Sequence, residues 1–433
     1  MARKLTRREF LLTTAATTAG IAAITSCKKA PALVTSLGEF DLTKTDQVRS
    51  ALEKEGAAVH ITTWGFEGLR AEVIPAKFAE YTQKKYGIPV TYTFETESFS
   101  KMMTELPIAG KTAADAGLDV IDKEEEYYPR LMALEWLEPI DQEGYAPILE
   151  NVKKVEESYK LRDEPKVGGS DLYGTMYQGF EWLQALIRKD KVDINNYKDW
   201  TDLARAELKG RGVCYPMDGD SRGHFVFAGF LNSLIKQGTI KGNLWDEATW
   251  EAGFKWWKDN MEDKVHKWGD IGNNPDLRLL LETGEVWWGA TWGVYTRAML
   301  ALPWNRRDNA LWAFYPKSGI LTNRETCHVA KGTKHPVGAR ILIDWMMSNE
   351  FVHAGWYKDE KGVEQNRWNI TEDKYLALYT GGVFDDQRKV MPEFAKPYYP
   401  ENPGSLILPC DWNWYSSRGE WISKAYQRIV LGS

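Results

Sequence analysis

VHITTWGFEGLRAEVIPAKFAEYTQKKYGIPVTYTF, residues 59–94, carries the pattern that decides the fold class. Residues 59–64 are a β-branched run ending at Trp64 and Gly65, which predicts a first strand. Residues 69–86 then place Val73, Ala76, Phe78, Ala79 and Tyr81 at mixed three- and four-residue spacing, which predicts a helix stopped by Gly87. Residues 88–94 alternate through Val90, Tyr92 and Phe94, a second strand. Working outward, a helix over 98–109, a short buried strand over 117–121 and a helix over 128–134 continue the alternation. This order, with short apolar strands, predicts an α/β domain with a mainly parallel sheet.

The middle of the chain repeats that grammar. Strands are expected over 181–188, 212–215 and 285–292, and a strand–turn–strand over 312–330 around Pro316-Lys317. Helices are expected over 200–208, 225–236, 245–260 and 337–348, several of them ended by glycine. From 366 the chain is rich in Pro, Gly and Trp and closes on a helix over 417–429. No short-period internal repeat is present.

At 433 residues, with 27% charged and 43% hydrophobic residues, the chain has ordinary globular composition and length for two or three domains. A net charge of -6 offers no basic field for a phosphate backbone, so nucleic acid is excluded as a partner. The unusual feature is 20 Trp with 20 Tyr and 15 Phe. Aromatic side chains bury large areas and also stack on ligands, so the surplus points to packing, to a binding site, or to both.

Residues 1–27, MARKLTRREFLLTTAATTAGIAAITSC, have a basic start and a short apolar run over 11–24. The Arg7-Arg8 pair followed by Glu9-Phe10-Leu11 resembles a twin-arginine export signal. Ile24-Thr25-Ser26-Cys27 resembles a bacterial lipobox, which implies cleavage before Cys27 and acylation of its thiol. The chain is therefore expected outside the cytoplasm, periplasmic or on the outer cell surface, held to the membrane by lipid. Residues 28–57 read as a tether. Cys214, Cys327 and Cys410 remain, allowing at most one disulfide; buried thiols acting as small hydrophobes are the favoured alternative.

Seven ordered segments resemble the extracellular solute-binding proteins of ABC importers, in the branch holding polyamine, iron and sugar receptors. They are the strand ending in Trp64, FAEYTQKKYGIPVTYTF (78–94), GLDVIDKEEEYYPRLMALEWLEPID (117–141), LYGTMYQGFEWLQALIRKD (172–190), KDWTDLARAELKGRGVCYP (198–216), GEVWWGATWGVY (284–295) and FYPKSGILTNRETCHVAKGTKHPVGARILIDWMMSNE (314–350). The resemblance implies an α/β, two-lobe periplasmic-binding-protein-like (type II) fold, with hinge strands and a central ligand cleft. On that pattern lobe 1 takes 58–178 plus 322–365 and lobe 2 takes 179–321 plus 366–433. Crossings are expected near 177–179 and 315–321, with a third within 350–370. The implied role is non-catalytic: a monomeric receptor that captures a small solute by hinge closure and delivers it to an ABC permease, without metal or cofactor.

Ligands in open α/β sheets sit beyond strand carboxyl ends, which singles out Trp64, the Glu125-Glu126-Tyr127-Tyr128 segment, Asp218, Asp220, Trp292 and Asn323-Arg324-Glu325. In the polyamine branch, Trp64, Tyr127, Asp220 and Trp292 fall where that family places a Trp, a Tyr, an Asp and a Trp. Glu325 falls where it places an Asp, and Glu126 joins these as a candidate ligand. An ammonium gains from aromatic faces and from a buried carboxylate together. Three departures stand out. Arg222 is followed by Gly223-His224 where a second acid belongs, Asn323 replaces an aromatic residue, and Arg324 adjoins Glu325 and is expected to neutralise it. Packing competes with binding for Trp64 and Trp292, and a solvated turn competes for 122–126. The Trp256/Trp257 and Trp287/Trp288 pairs are expected in the core.

A sugar is the rival solute, since Trp and Tyr stack on pyranose faces and acids bind hydroxyls; Trp412 and Trp414 would suit either. A secreted glycan hydrolase is the competing class, with Glu125 or Glu126 and Asp220 or Glu325 as acid and base. No GxSxG, HExxH, CxxC or Walker pattern is present. Six scattered histidines form no zinc constellation. The Tyr127-Tyr128 and Tyr398-Tyr399 pairs lie outside the segment that supplies tyrosines in iron receptors.

Overall fold

The computed structural model describes residues 39–62, 67–95, 99–155, 160–166, 169–214, 221–265, 274–292, 303–348 and 406–432. Short pieces at 157, 217, 296, 299–300, 350–351, 356–358 and 364–366 complete it. The export signal with Cys27, and the candidates Trp64, Asp218 and Asp220, lie outside the described residues.

β1 (Ala58–Thr62) pairs in parallel with β2 (Thr91–Glu95) on one edge and with β3 (Val120–Glu124) on the other. The helix Glu67–Tyr86 makes the crossover from β1 to β2. Its Phe78 and Tyr81 rest on Trp345 of the helix Pro336–Met346, with ring centroids 5.3 and 6.1 Å apart. The helix stops where Gly87 takes φ +74°, a left-handed conformation that other residues resist. β2 begins at Thr91 rather than Ile88. Pro89 has no N–H, and the Val90 N–H is taken by Thr82 Oγ1 at 2.9 Å, so ladder bonding starts only after them.

The short β4 (Leu137–Glu138) follows, then β5 (Lys160–Lys166), which forms a hairpin with the long β6 (Gly169–Arg188). β7 (Gly212–Val213), β8 (Trp288–Trp292) and β9 (Leu311–Phe314) precede a second long strand, β10 (Ile320–Ala330). β11 (Trp356–Lys358) and β12 (Glu364–Asn366) make a small hairpin, and β13 (Ile407–Leu408) pairs in parallel with the start of β10. From Thr175 to Trp182, β6 pairs antiparallel with β10; from Leu183 to Arg188 it pairs with β8 and β9 instead. β10 likewise passes from β13 at Leu321 to β6 at Thr322, and binds β3 antiparallel over Glu325–Val329.

The expectation of a mainly parallel sheet is therefore corrected to a mixed one. Parallel pairing holds where a helix supplies the crossover, as between β1 and β2. β6 and β10 are continuous strands that each change pairing partners along their length, and they run antiparallel to each other. Their pairing is interrupted once: Arg324 lies opposite Phe180 and Thr326 opposite Met176, so Tyr177–Gly179 share the place opposite Glu325. Such a bulge bends the strand and re-aims its neighbours. It falls where the first crossing is expected. Gly174 allows a close approach within β6: a Cβ there would stand 2.5 Å from His328 Cε1.

Two hydrophobic cores flank these strands. The larger gathers Leu186, Phe230, Trp250, Trp257 and Trp288; the smaller holds Phe99, Met103, Ile121, Leu131 and Trp136. Trp257 and Trp288 are buried with Trp256 and Trp287 packed beside them, as the sequence suggested. Cys214 and Cys327 are buried, and they and Cys410 are free thiols.

Three local expectations change. Residues 200–208 form two 3-10 turns, Trp200–Ala204 and Ala206–Leu208, because Asp199 and Asp202 make a tight capping box and Arg205 is extended. The C-terminal helix spans Trp412–Tyr426, started by the Asp411 carboxylate accepting from Trp414 N at 2.9 Å, and continues as a π turn over Gln427–Leu431. Part of the segment expected as a tether is a helix, Thr45–Lys54, with Val48, Ala51 and Leu52 buried. Glu55 just beyond it accepts from Val337 N at 2.9 Å and Gly338 N at 3.0 Å, joining it to the start of Pro336–Met346.

Arg340 in that helix is fully buried, donates to the Ile140, Pro139 and Pro336 carbonyls at 2.9, 2.6 and 3.1 Å, and stacks on Tyr145 at 3.8 Å. Arg340→Met removes the side-chain donors to the Ile140 and Pro139 carbonyls and the charge paired with Glu138, and is expected to lower stability by about 3–5 kcal/mol in urea titrations; a loss under about 1 kcal/mol would contradict this account. His328 is buried on β10, its Nδ1–H donating to the Tyr173 carbonyl at 2.9 Å while Nε2 accepts from Thr326 Oγ1 at 2.8 Å. Burial lowers its pKa to about 4, so protonation favours the unfolded chain. The stability held above pH 6.5 is then lost as pH falls toward 4, by about 3 kcal/mol. In His328→Gln the stability difference between these two pH values should shrink by that amount; an unchanged pH profile would refute the assignment.

Candidate functional site

β3 ends at Glu124, and the chain turns at once through the 3-10 turn Glu125–Tyr127 into the helix Tyr128–Ala133. This is the strand carboxyl end at which an open sheet presents ligands. β10 runs antiparallel beside it and sets Glu325 opposite Glu124 and Thr326 opposite Lys123. The bulge on β6 lies opposite Glu325 from the other side. The segment 122–126 is not a solvated turn, since Asp122, Lys123 and Glu125 are buried.

The Arg324 guanidinium pairs through Nε with the Glu125 carboxylate, which joins β10 to the turn that follows β3. Burial pushes the Glu125 carboxyl upward, while Arg324 and the Trp412 side chain hold it down. Asn323 Nδ2 donates to Glu126 Oε2 at 3.3 Å. Glu325 is buried with 7% exposure. Lys123 places its ammonium over the Phe99 ring at 5.2 Å.

An aromatic group approaches from the other lobe. Trp292 ends β8 opposite Leu183 and meets Phe225 edge-on at 6.1 Å. Phe225 packs on Trp412 at 5.6 Å and Tyr415 at 5.4 Å. The Tyr415 hydroxyl donates to His224 Nδ1 at 3.0 Å, because Nε2 is the donor to the Met217 carbonyl, also at 3.0 Å. His224, standing where a second acid belongs in the polyamine pattern, is thus a buried structural residue. The C-terminal helix belongs to the larger core through Trp412, Tyr415, Ile422 and Tyr426. It also reaches the Glu125–Tyr127 turn, through Trp412 and through Ser416 Oγ, which donates to the Glu126 carbonyl at 3.5 Å.

Of the predicted site residues, Glu126 and Glu325 come together through β3 and β10. Tyr127 packs edge-on against Phe99 at 5.4 Å, at the margin of the smaller core, and Tyr128 stacks on His328 at 5.8 Å. Trp292 lies with Phe225 on the larger core, and no described contact joins it to Tyr127. Sequence reasoning missed Glu125–Arg324 as a pair and gave Trp412 no place beside it. Asp411, a capping residue before an aromatic run, was the signal for the helix that brings Trp412 there. Among the described residues no group of three or more His, Cys, Asp or Glu could hold a metal ion.

No protein-family profile matches the sequence, and no curated protein matches it. Solved structures do match over most of the chain. An extracellular solute-binding protein from Bordetella parapertussis superposes with TM-score 0.62 at 16% identity, covering 86% of this chain and 99% of its own. An ABC transporter protein from Clostridium perfringens gives 0.58 at 16% identity over the same shares, 86% and 99%. A spermidine/putrescine ABC transporter substrate-binding protein from Streptococcus pneumoniae gives 0.56, again at 16% identity with 86% and 99% covered. At such identities the likeness speaks for architecture, and the architecture is clear: this chain has the two-lobe α/β fold of periplasmic solute-binding proteins.

Proposed function

We propose that this chain is the solute-binding component of an ABC importer, which captures a small cationic amine between its lobes and delivers it to a membrane permease without altering it. The observation that carries this reading is the concentration of acid where β3 meets β10. Glu124, Glu125, Glu126 and Glu325 stand with Lys123 and Arg324 in these two segments, and Arg324 is engaged by Glu125. Clustered, partly buried carboxylates repel one another, and a bound cation relieves that repulsion while gaining their field. Trp292, Phe225 and Trp412 supply the apolar flank that an alkyl ammonium uses.

The matched structures include proteins described as a spermidine/putrescine receptor and as a ferric-binding protein from Campylobacter jejuni. Acid beside aromatic rings suits the first chemistry better, since an organic cation benefits from both. Lobe 1 is assigned 58–178 plus 322–365 and lobe 2 the rest from 179, with β6 and β10 as the strands between them. Export by the twin-arginine route and acylation at Cys27 hold this monomeric receptor at the membrane surface, close to its permease.

Titration of the full-length protein with 1,4-diaminobutane should change tryptophan fluorescence and raise the melting temperature, with affinity falling as salt is added. Glu126→Gln should weaken that binding by about 10- to 100-fold. Salt-insensitive binding of an oligosaccharide would replace this reading with the sugar one, and turnover of a glycoside abolished by a single carboxylate change would replace it with a hydrolase. In cells, Cys27→Ser should move the protein from the detergent phase to the aqueous phase on Triton X-114 partition; equal partition of both forms would exclude lipidation.

A further inference from the structure

We infer that Asn323 makes the site selective for a solute nitrogen that carries N–H bonds, a primary or secondary ammonium, over a quaternary one. This deepens the cationic-amine reading above and rests on it. Asn323 stands on β10 opposite Glu181 of β6 and is 1% exposed. Its amide orientation is fixed by its neighbour. Glu126 Oε2, 3.3 Å away, is a carboxylate acceptor, so the atom facing it must be the donor Nδ2. Oδ1 is left pointing elsewhere, shielded from solvent, and it has no hydrogen-bond partner among the described residues. At Asn323 β10 is paired with β6, opposite Glu181, and the β3 ladder begins two residues further on at Glu325.

A buried acceptor left unmet is costly, and sites built to bond a substrate N–H reject an analogue that lacks it. Asn323 occupies the position where the resembling receptors carry an aromatic ring. A ring face attracts any cation by its quadrupole, quaternary or not. A carbonyl oxygen beside a carboxylate accepts hydrogen bonds and so counts donors. An ammonium N–H donated to Asn323 Oδ1 would satisfy that acceptor, which trimethylation forbids.

The test compares two dications of equal charge, 1,4-diaminobutane and its hexamethyl bis-quaternary analogue, by calorimetric titration of the full-length protein and of Asn323→Leu and Asn323→Val. Two variants are used so that a folded one, judged by circular dichroism, is available. The wild-type protein should prefer the diamine, and the variants should lose that preference by roughly 10- to 100-fold, chiefly through weaker diamine binding. If the diamine binds but the ratio of the two affinities is the same in wild type and a folded variant, Asn323 does not count donors and the inference falls, with the cationic-amine reading intact. That is also the result if an enclosed water occupies Oδ1. If neither dication binds the wild-type protein, the underlying reading falls and takes the inference with it.

Discussion

The antiparallel ladder between β6 and β10 is the constraint on which the rest of the structure depends. Each strand hydrogen-bonds within one lobe at one end and within the other lobe at the other end. A strand cannot be shared between two sheets and remain flat and regular, because the sheets twist and face different cores. The strain is taken up at Tyr177–Gly179, three residues opposite the single Glu325. Acid residues gather beside that bulge because β3 ends there and β10 passes it. The same irregularity that lets two lobes share a backbone therefore shapes the place where a guest would meet both.

Electrostatics at this place are arranged rather than accidental. A buried carboxylate is costly alone, and Glu125 is compensated by the Arg324 guanidinium from β10 and by Trp412 from the C-terminal helix. Glu126 accepts from the Asn323 amide at 3.3 Å. Glu125 is the acid that ties the end of β3 to β10 and to the C-terminal helix. The C-terminal helix contributes to both tasks, since its apolar side completes the larger core while its first turn closes on the Glu125–Tyr127 turn.

Most of the tryptophan surplus is structural. Trp136, Trp200, Trp250, Trp257, Trp288 and Trp345 are among the largest fully buried side chains. Burial of each such ring removes roughly 150–250 Å² from water, which makes aromatic packing a leading stabilising term in this fold. Trp292 and Trp414 are half-buried and Trp412 nearly buried, and of these Trp412 meets the acid cluster, at Glu125. Composition alone could not sort these groups, because a core ring and a cleft ring look identical in sequence.

Local pattern was enough to show an α/β chain with its strand–helix order, since residues such as Val59, Phe78 and Tyr92 recur at the periods their elements impose and Gly87 marks a stop. It also singled out 125–128 and 323–325 as candidate segments, because strand ends carry ligands in open sheets. It misplaced what depends on partners distant in sequence. The strand starts at Thr91 because Thr82 takes the Val90 N–H, and Thr45–Lys54 is a helix because its apolar side finds a core. Sheet direction and the pairing of Arg324 with Glu125 were decided only in three dimensions. Sequence fixes which faces a strand offers, but which neighbour meets each face is set by how the lobes share β6 and β10, and that is a property of the packed chain.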